Sequence, residues 1–171
     1  MAALLFVAVV PPPDAVAGLR ALVDELRREA PELSWVAPQR WHVTVCFLGA
    51  VEPTPPLLDG LAGVAASSAP VRVGFQGGGR FGDRVLWAGV RGGLPELAAR
   101  VAGAARGAGV AVEERPFRAH LTLARDRRGV RLAPLAARLT SVTGSWTADS
   151  LVLMRSARPE YEQVASWPLA G

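Results

Sequence analysis

Apolar positions along the chain keep two different rhythms, and the places where one gives way to the other mark out its elements. Leu4 to Val10 is an almost unbroken apolar run, which predicts a buried strand. From Asp14 to Ala30 the spacing changes to steps of three and four, with Val16, Leu19, Leu22, Val23 and Leu26 on one side, the signature of an amphipathic helix. Pro11 to Pro13 precede this helix, where proline is tolerated, and Pro31 stops it. Trp35 to Leu48 alternates and is rich in β-formers up to Gly49, predicting a strand. Pro53 to Ser68 predicts a second helix, with Leu57, Leu58, Leu61 and Val64 on one face. Val71 to Phe75 and Arg84 to Val90 predict two strands, joined by a glycine-rich mobile turn from Gln76 to Asp83.

The second half continues in the same way. Leu94 to Gly107 predicts a third helix, closed by Gly107 and Gly109. Pro116 to Ala124 predicts a strand, Asp126 to Gly129 a polar turn, and Val130 to Leu139 a short helix. Strands follow at Ser150 to Met154 and Val164 to Leu169. Strands and helices mix without a βαβ rhythm, so the fold class is α+β. Cutting near Val71 leaves two parts of similar content with no long linker, which predicts one domain over 1–171, built as two lobes sharing a cleft.

Composition narrows the picture. Half of the 171 residues are hydrophobic and 20% are charged, which fits a folded core and disfavours disorder. The apolar opening run is too short to span a bilayer and has neither the basic flank nor the cleavage site of a secretory signal, so a cytoplasmic location without membrane association is expected. Cys46 stands alone and can form neither an internal disulfide nor a structural zinc site by itself. All 19 basic residues are arginine, against 15 acids, for a net charge of +4. Arginine suits bidentate phosphate contact and so an RNA or nucleotide ligand, although the richness in Ala, Gly, Pro and Val shows that codon bias also feeds the lysine deficit. Gly77-Gly78-Gly79 lacks the context of a phosphate-binding glycine loop.

The chemistry concentrates in the only two histidines. Pro38-Gln39-Arg40-Trp41-His42-Val43-Thr44-Val45 and Pro116-Phe117-Arg118-Ala119-His120-Leu121-Thr122-Leu123 share Pro at −4, Arg at −2, His, and Thr at +2. Residues two apart in a strand point the same way, so Arg40, His42 and Thr44 form one face and Trp41, Val43 and Val45 the other. Arg118, His120 and Thr122 repeat the polar face. Two such faces across a solvated cleft give two imidazoles, two hydroxyls and flanking guanidinium groups. That set suits a phosphodiester: one neutral imidazole takes a proton from the nucleophile, the other, protonated, gives one to the departing oxygen, and the hydroxyls hold the phosphate oxygens. The chemistry needs no metal, and no carboxylate-rich metal motif or hydrolytic triad stands out.

These paired His-x-Thr-x phrases resemble the motifs of the two-histidine (2H) phosphoesterases, and within them the chain is most similar to the RNA 2′,3′-cyclic phosphodiesterases, also called 2′–5′ RNA ligases. The likeness runs nearly end to end, through Leu5-Phe6-Val7-Ala8-Val9, Trp41 to Gly49, Gly79-Arg80-Phe81, Val85-Leu86-Trp87, Arg115-Pro116-Phe117, Leu123-Ala124-Arg125 and Ser156 to Tyr161. It implies a bilobal fold with two antiparallel sheets lining a central cleft and helices outside. It also implies hydrolysis of an RNA terminal 2′,3′-cyclic phosphate to a 2′-phosphate, without cofactor, by a monomer, with weak reverse 2′–5′ joining. Carried over by motif, His42 is the general acid and His120 the general base, Thr44 and Thr122 hold phosphate oxygens, Arg125 contacts phosphate, and Phe47 and Tyr161 stack on a base. A small cyclic nucleotide or ADP-ribose cyclic phosphate is the alternative substrate, and a non-catalytic RNA- or nucleotide-binding module the alternative class. The chain departs from the family pattern at Cys46, often basic, at Gly82, commonly proline, and in the tail Arg158 to Tyr161, which lacks a usual glycine.

Overall fold

The computed structural model describes residues 4–157 and 160–171. Among these residues nine strands and four helices run in the order β1 (Leu5–Val9), α1 (Ala17–Glu29), β2 (Ser34–Trp35), β3 (Val43–Gly49), α2 (Pro55–Ala66), β4 (Val71–Phe81), β5 (Val85–Gly92), α3 (Leu94–Gly107), β6 (His120–Arg125), α4 (Ala133–Arg138), β7 (Ser145–Ala148), β8 (Ser150–Arg155) and β9 (Glu162–Pro168). The strands form two antiparallel sheets, β3-β1-β8-β9 and β2-β6-β5-β4-β7. The α+β class and the two-sheet architecture expected from the sequence are therefore present.

The sheets do not follow the halving near Val71. The four-stranded sheet joins β1 and β3 to β8 and β9, while β2 crosses to the sheet of β4 to β7. β1 lies between β3 and β8, with every residue buried, which is why its sequence is continuously apolar. Helices cover the outer side: α3 packs on β3 and α2 on α3. In α1, Leu19, Val23 and Leu26 face the core, and Ala30 closes the helix by donating to the Leu26 carbonyl before Pro31. Thr54 caps α2 through its hydroxyl, which accepts from the Leu57 N–H at 3.4 Å. Among the described residues no helix is long and apolar enough to cross a membrane.

Two local expectations need correction. The predicted strand from Trp35 to Leu48 is interrupted by a 3-10 turn at Pro38–Arg40, because Pro38 lacks a ladder donor and fixes φ. The glycines at 77–79 are not a mobile turn; they lie inside β4, and the turn is at Gly82 to Arg84. Gly77, at φ +63°, sits in a bulge between Phe75 and Gly78. Gly79 lies directly opposite Trp87, and a Cβ there would come within 2.5 Å of the indole ring. Glycine at 79 thus lets Trp87 lie flat across the strand. Gly79→Ala should destabilise the protein by about 1–3 kcal/mol through overpacking; an unchanged urea midpoint would refute that close approach.

Candidate active site

β3 and β6, the two motif strands, lie against each other although they belong to different sheets. In each motif the odd-numbered apolar partners are buried: Trp41, Val43 and Val45 in one, Leu121 and Leu123 in the other. His42, Thr44, His120 and Thr122 are half-buried on the opposite face, as alternation requires.

Each imidazole is held the same way. His42 Nδ1 is 2.9 Å from the Arg40 carbonyl oxygen, and His120 Nδ1 is 2.7 Å from that of Arg118. A carbonyl only accepts, so each Nδ1 carries the hydrogen and each Nε2 is the nitrogen left to exchange protons. The arginine at −2 therefore contributes first through its backbone. Arg40 itself lies in the 3-10 turn rather than the strand, with its guanidinium 4.3 Å above the Tyr161 ring. Arg118 is exposed ahead of β6.

Aromatic rings wall both histidines, and sequence reasoning had missed most of them. Phe6 stacks on His42 at 4.8 Å, and Tyr161 meets the same imidazole edge-on at 5.0 Å. Phe81 meets His120 edge-on at 5.0 Å, with Trp87 tilted against it at 5.8 Å. Tyr161, expected to stack on a base, instead has its ring packed between Phe6, His42 and the Arg40 guanidinium. The available signal for the missed rings was register: Phe6 is two residues from Ala8, the partner of Thr44, and Trp87 is the partner of Thr122.

Burial pushes both imidazoles below their ordinary value of 6.5. For His42 the carbonyl of Arg40 opposes this, while the charges of Arg40, His120 and Arg125 add to it. For His120 the carbonyl of Arg118 opposes it, and Arg125 and Arg118 add. Arg125 thus acts on both rings, and the charge of His120 reaches His42.

Matching β-bulges explain how Arg125 comes to the site. Ala8 pairs with Thr44 and Val7 with Cys46, leaving Val45 as the extra residue; Trp87 pairs with Thr122 and Leu86 with Ala124, leaving Leu123 extra. Both bulges fall three residues after the histidine. Strict alternation would send Phe47 and Arg125 to the apolar face. The bulges return them instead to the histidine face, Phe47 opposite Phe6 and Arg125 opposite Val85. Phe47 is 50% exposed there.

Two sheets each present one His-x-Thr strand to the other, and the charge of Arg125 reaches both imidazoles. TT0787 of Thermus thermophilus has a similar fold, with a TM-score of 0.79, 26% identity and 98% of each chain covered. The chain is 33% identical over 97% of its length to an RNA 2′,3′-cyclic phosphodiesterase of Geobacillus stearothermophilus, of which it spans 57%. It is 31% identical over 80% of its length to one of Bacillus subtilis (strain 168), covering 80% of that protein. The profile of the 2′-5′ RNA ligase superfamily matches residues 11–160, and the chain belongs to that superfamily. Of the resembling phrase Ser156 to Tyr161, Arg158 and Pro159 lie outside the described residues.

Proposed function

We propose that this protein hydrolyses the 2′,3′-cyclic phosphate at the end of an RNA to a 2′-phosphate. The observation that carries this reading is the matched pair of imidazoles, each with Nδ1 committed to a carbonyl and Nε2 left free, with a threonine two residues on. Water attacks phosphorus as His120 Nε2 takes its proton; the bond to O3′ breaks as His42 Nε2 donates a proton to that oxygen. Charge gathering on the non-bridging oxygens is met by the Thr44 and Thr122 hydroxyls and the Arg125 guanidinium. The order of acid and base follows the family resemblance. Phe47 offers its exposed ring to a base. A 5′-hydroxyl in place of water would give a weak 2′–5′ joining activity. The protein acts as a cytoplasmic monomer and takes up no cofactor.

The test is an RNA carrying a 2′,3′-cyclic phosphate, incubated with the protein and a chelator. A 2′-phosphate product supports the reading, a 3′-phosphate product would show that the bond to O2′ breaks and would refute O3′ as the leaving oxygen, and no turnover refutes the activity. The pH profile adds a second check. With both imidazoles below 6.5, the form bearing one proton between them is most abundant on the acid side of that value. A bell-shaped kcat/KM profile with its maximum below pH 6.5 is expected; a plateau extending above pH 8 would contradict the pair. The same shifts link to folding. The unfolded histidines take up protons below 6.5 that the folded ones resist, so their contribution to stability is lost as pH falls from 6.5.

A further inference from the structure

The tip of the β4–β5 hairpin and the loop after β6 form one connected end of the larger sheet. Val85 pairs with Arg125, and the Asp126 N–H donates to the Arg84 carbonyl at 2.8 Å. The loop is built firmly: the buried Asp126 carboxylate accepts the Arg128 N–H at 3.0 Å and also that of Val130. These bonds, Arg128 first, hold its carboxyl below the usual range. Asp83 Oδ1 takes the Arg80 guanidinium at 3.3 Å and the Leu132 N–H at 3.4 Å. Both carboxylates are thus occupied by their own surroundings.

Apart from Arg80, the arginines at this end are not. Residues 80–85 and 125–131 hold six of the 19 arginines and only two of the 15 acids, leaving 13 of each elsewhere. The entire net charge of +4 is therefore gathered here. Arg84, Arg125, Arg127, Arg128 and Arg131 are exposed, and the ion pairs among the described residues engage other arginines. A recess of about 180 Å³ opens between Asp83, Arg84, Asp126, Arg127 and Gly129. Phe81, 39% exposed, lies at the hairpin tip between this end and His120.

Position relative to the site gives the charge a use. β6 carries His120, Thr122 and, past the bulge, Arg125 along the histidine face, and the loop begins at the next residue. With the bulge, the five steps from His120 to Arg125 oppose only the four from Gly89 to Val85, so at about 3.3 Å per residue the two backbones are roughly 13 Å apart along the strand. A ligand reaching from the reacting phosphate to Arg127 and Arg128 must extend well past one nucleotide. An anionic groove-follower with exposed aromatic positions nearby is the chemistry of single-stranded nucleic acid. Resting on the proposed reading of the site, we infer that this arginine end is a track for the RNA backbone upstream of the cyclic phosphate, so that the protein selects oligonucleotides over mononucleotides.

Steady-state kinetics on uridine 2′,3′-cyclic phosphate and on a ten-nucleotide RNA with the same terminus test this. The double variant Arg127→Ala/Arg128→Ala should raise KM for the decamer roughly tenfold and flatten its salt dependence by about 1.4 in log–log slope, the contribution of two phosphates. Its kinetics on the mononucleotide should be unchanged, and Arg20→Ala/Arg27→Ala, on exposed positions of α1, should behave as wild type on both. An equal KM rise on the two substrates, or none on the decamer, overturns the track. Wild-type failure on both substrates would instead defeat the proposed activity. The track would then stand or fall on anisotropy binding of a 3′-phosphorylated decamer, where the double variant must bind more weakly and with the flatter salt slope.

Discussion

His42→Ala and His120→Ala should each lower kcat on a cyclic-phosphate RNA by about 10³-fold while leaving the protein folded. Both rings are half-buried rather than deep in the core, and each hydrogen bonds only a local carbonyl through Nδ1. Their loss therefore removes a proton carrier more than a structural support. Because the two act in one step, the double variant should be little worse than either single one. The roles separate with the leaving group. On a phosphodiester with a nitrophenolate leaving group, which needs no proton to depart, His42→Ala should recover most of its activity and His120→Ala should not. Equal losses on that substrate would remove the assignment of His42 as acid, and wild-type rates in both variants would remove the mechanism.

Much of this site was legible in the sequence because alternation is a local property. The polar face of His42 and Thr44 and the buried face of Trp41, Val43 and Val45 follow from period two alone, and the doubled phrase pointed to the proposed chemistry. The bulges were harder to see. Arg125 falls in phase with the buried Leu121 and Leu123, and an arginine at a core position is itself the sign of a slipped register. The extra residue at Leu123 becomes visible only against its partner strand. Phe6, Phe81 and Trp87 were present in phrases resembling the family, yet which ring meets which histidine depends on cross-strand pairing that no local pattern encodes. The glycines at 77–79 misled for a related reason. Their small size serves a neighbour, Trp87 above Gly79, rather than a turn. The lobes cross the midpoint because the chain returns at β8 and β9 to complete the sheet that β1 began.

Thr44→Val and Thr122→Val should each reduce kcat by about 10²-fold with KM nearly unchanged. The substitution keeps the β-branched shape and strand preference, so both strands and the β3–β6 contact should persist, with little shift in the unfolding midpoint. What is lost is one hydroxyl donor on the histidine face, and its value depends on when the phosphate needs it. A cyclic phosphate diester carries a single charge in the ground state, and more gathers on the non-bridging oxygens as water adds. A donor aimed there is worth most in the transition state, about 10²–10³ in rate for groups of this kind. Unlike the histidines, the threonines need not act on one proton, so their effects should come closer to adding in Thr44→Val/Thr122→Val. Thr→Ser at either position restores the donor and should restore most of kcat. A rise in KM with kcat preserved would assign the hydroxyls to ground-state binding, and a serine variant as slow as the valine one would mean that the methyl group, not the hydroxyl, is what the site requires.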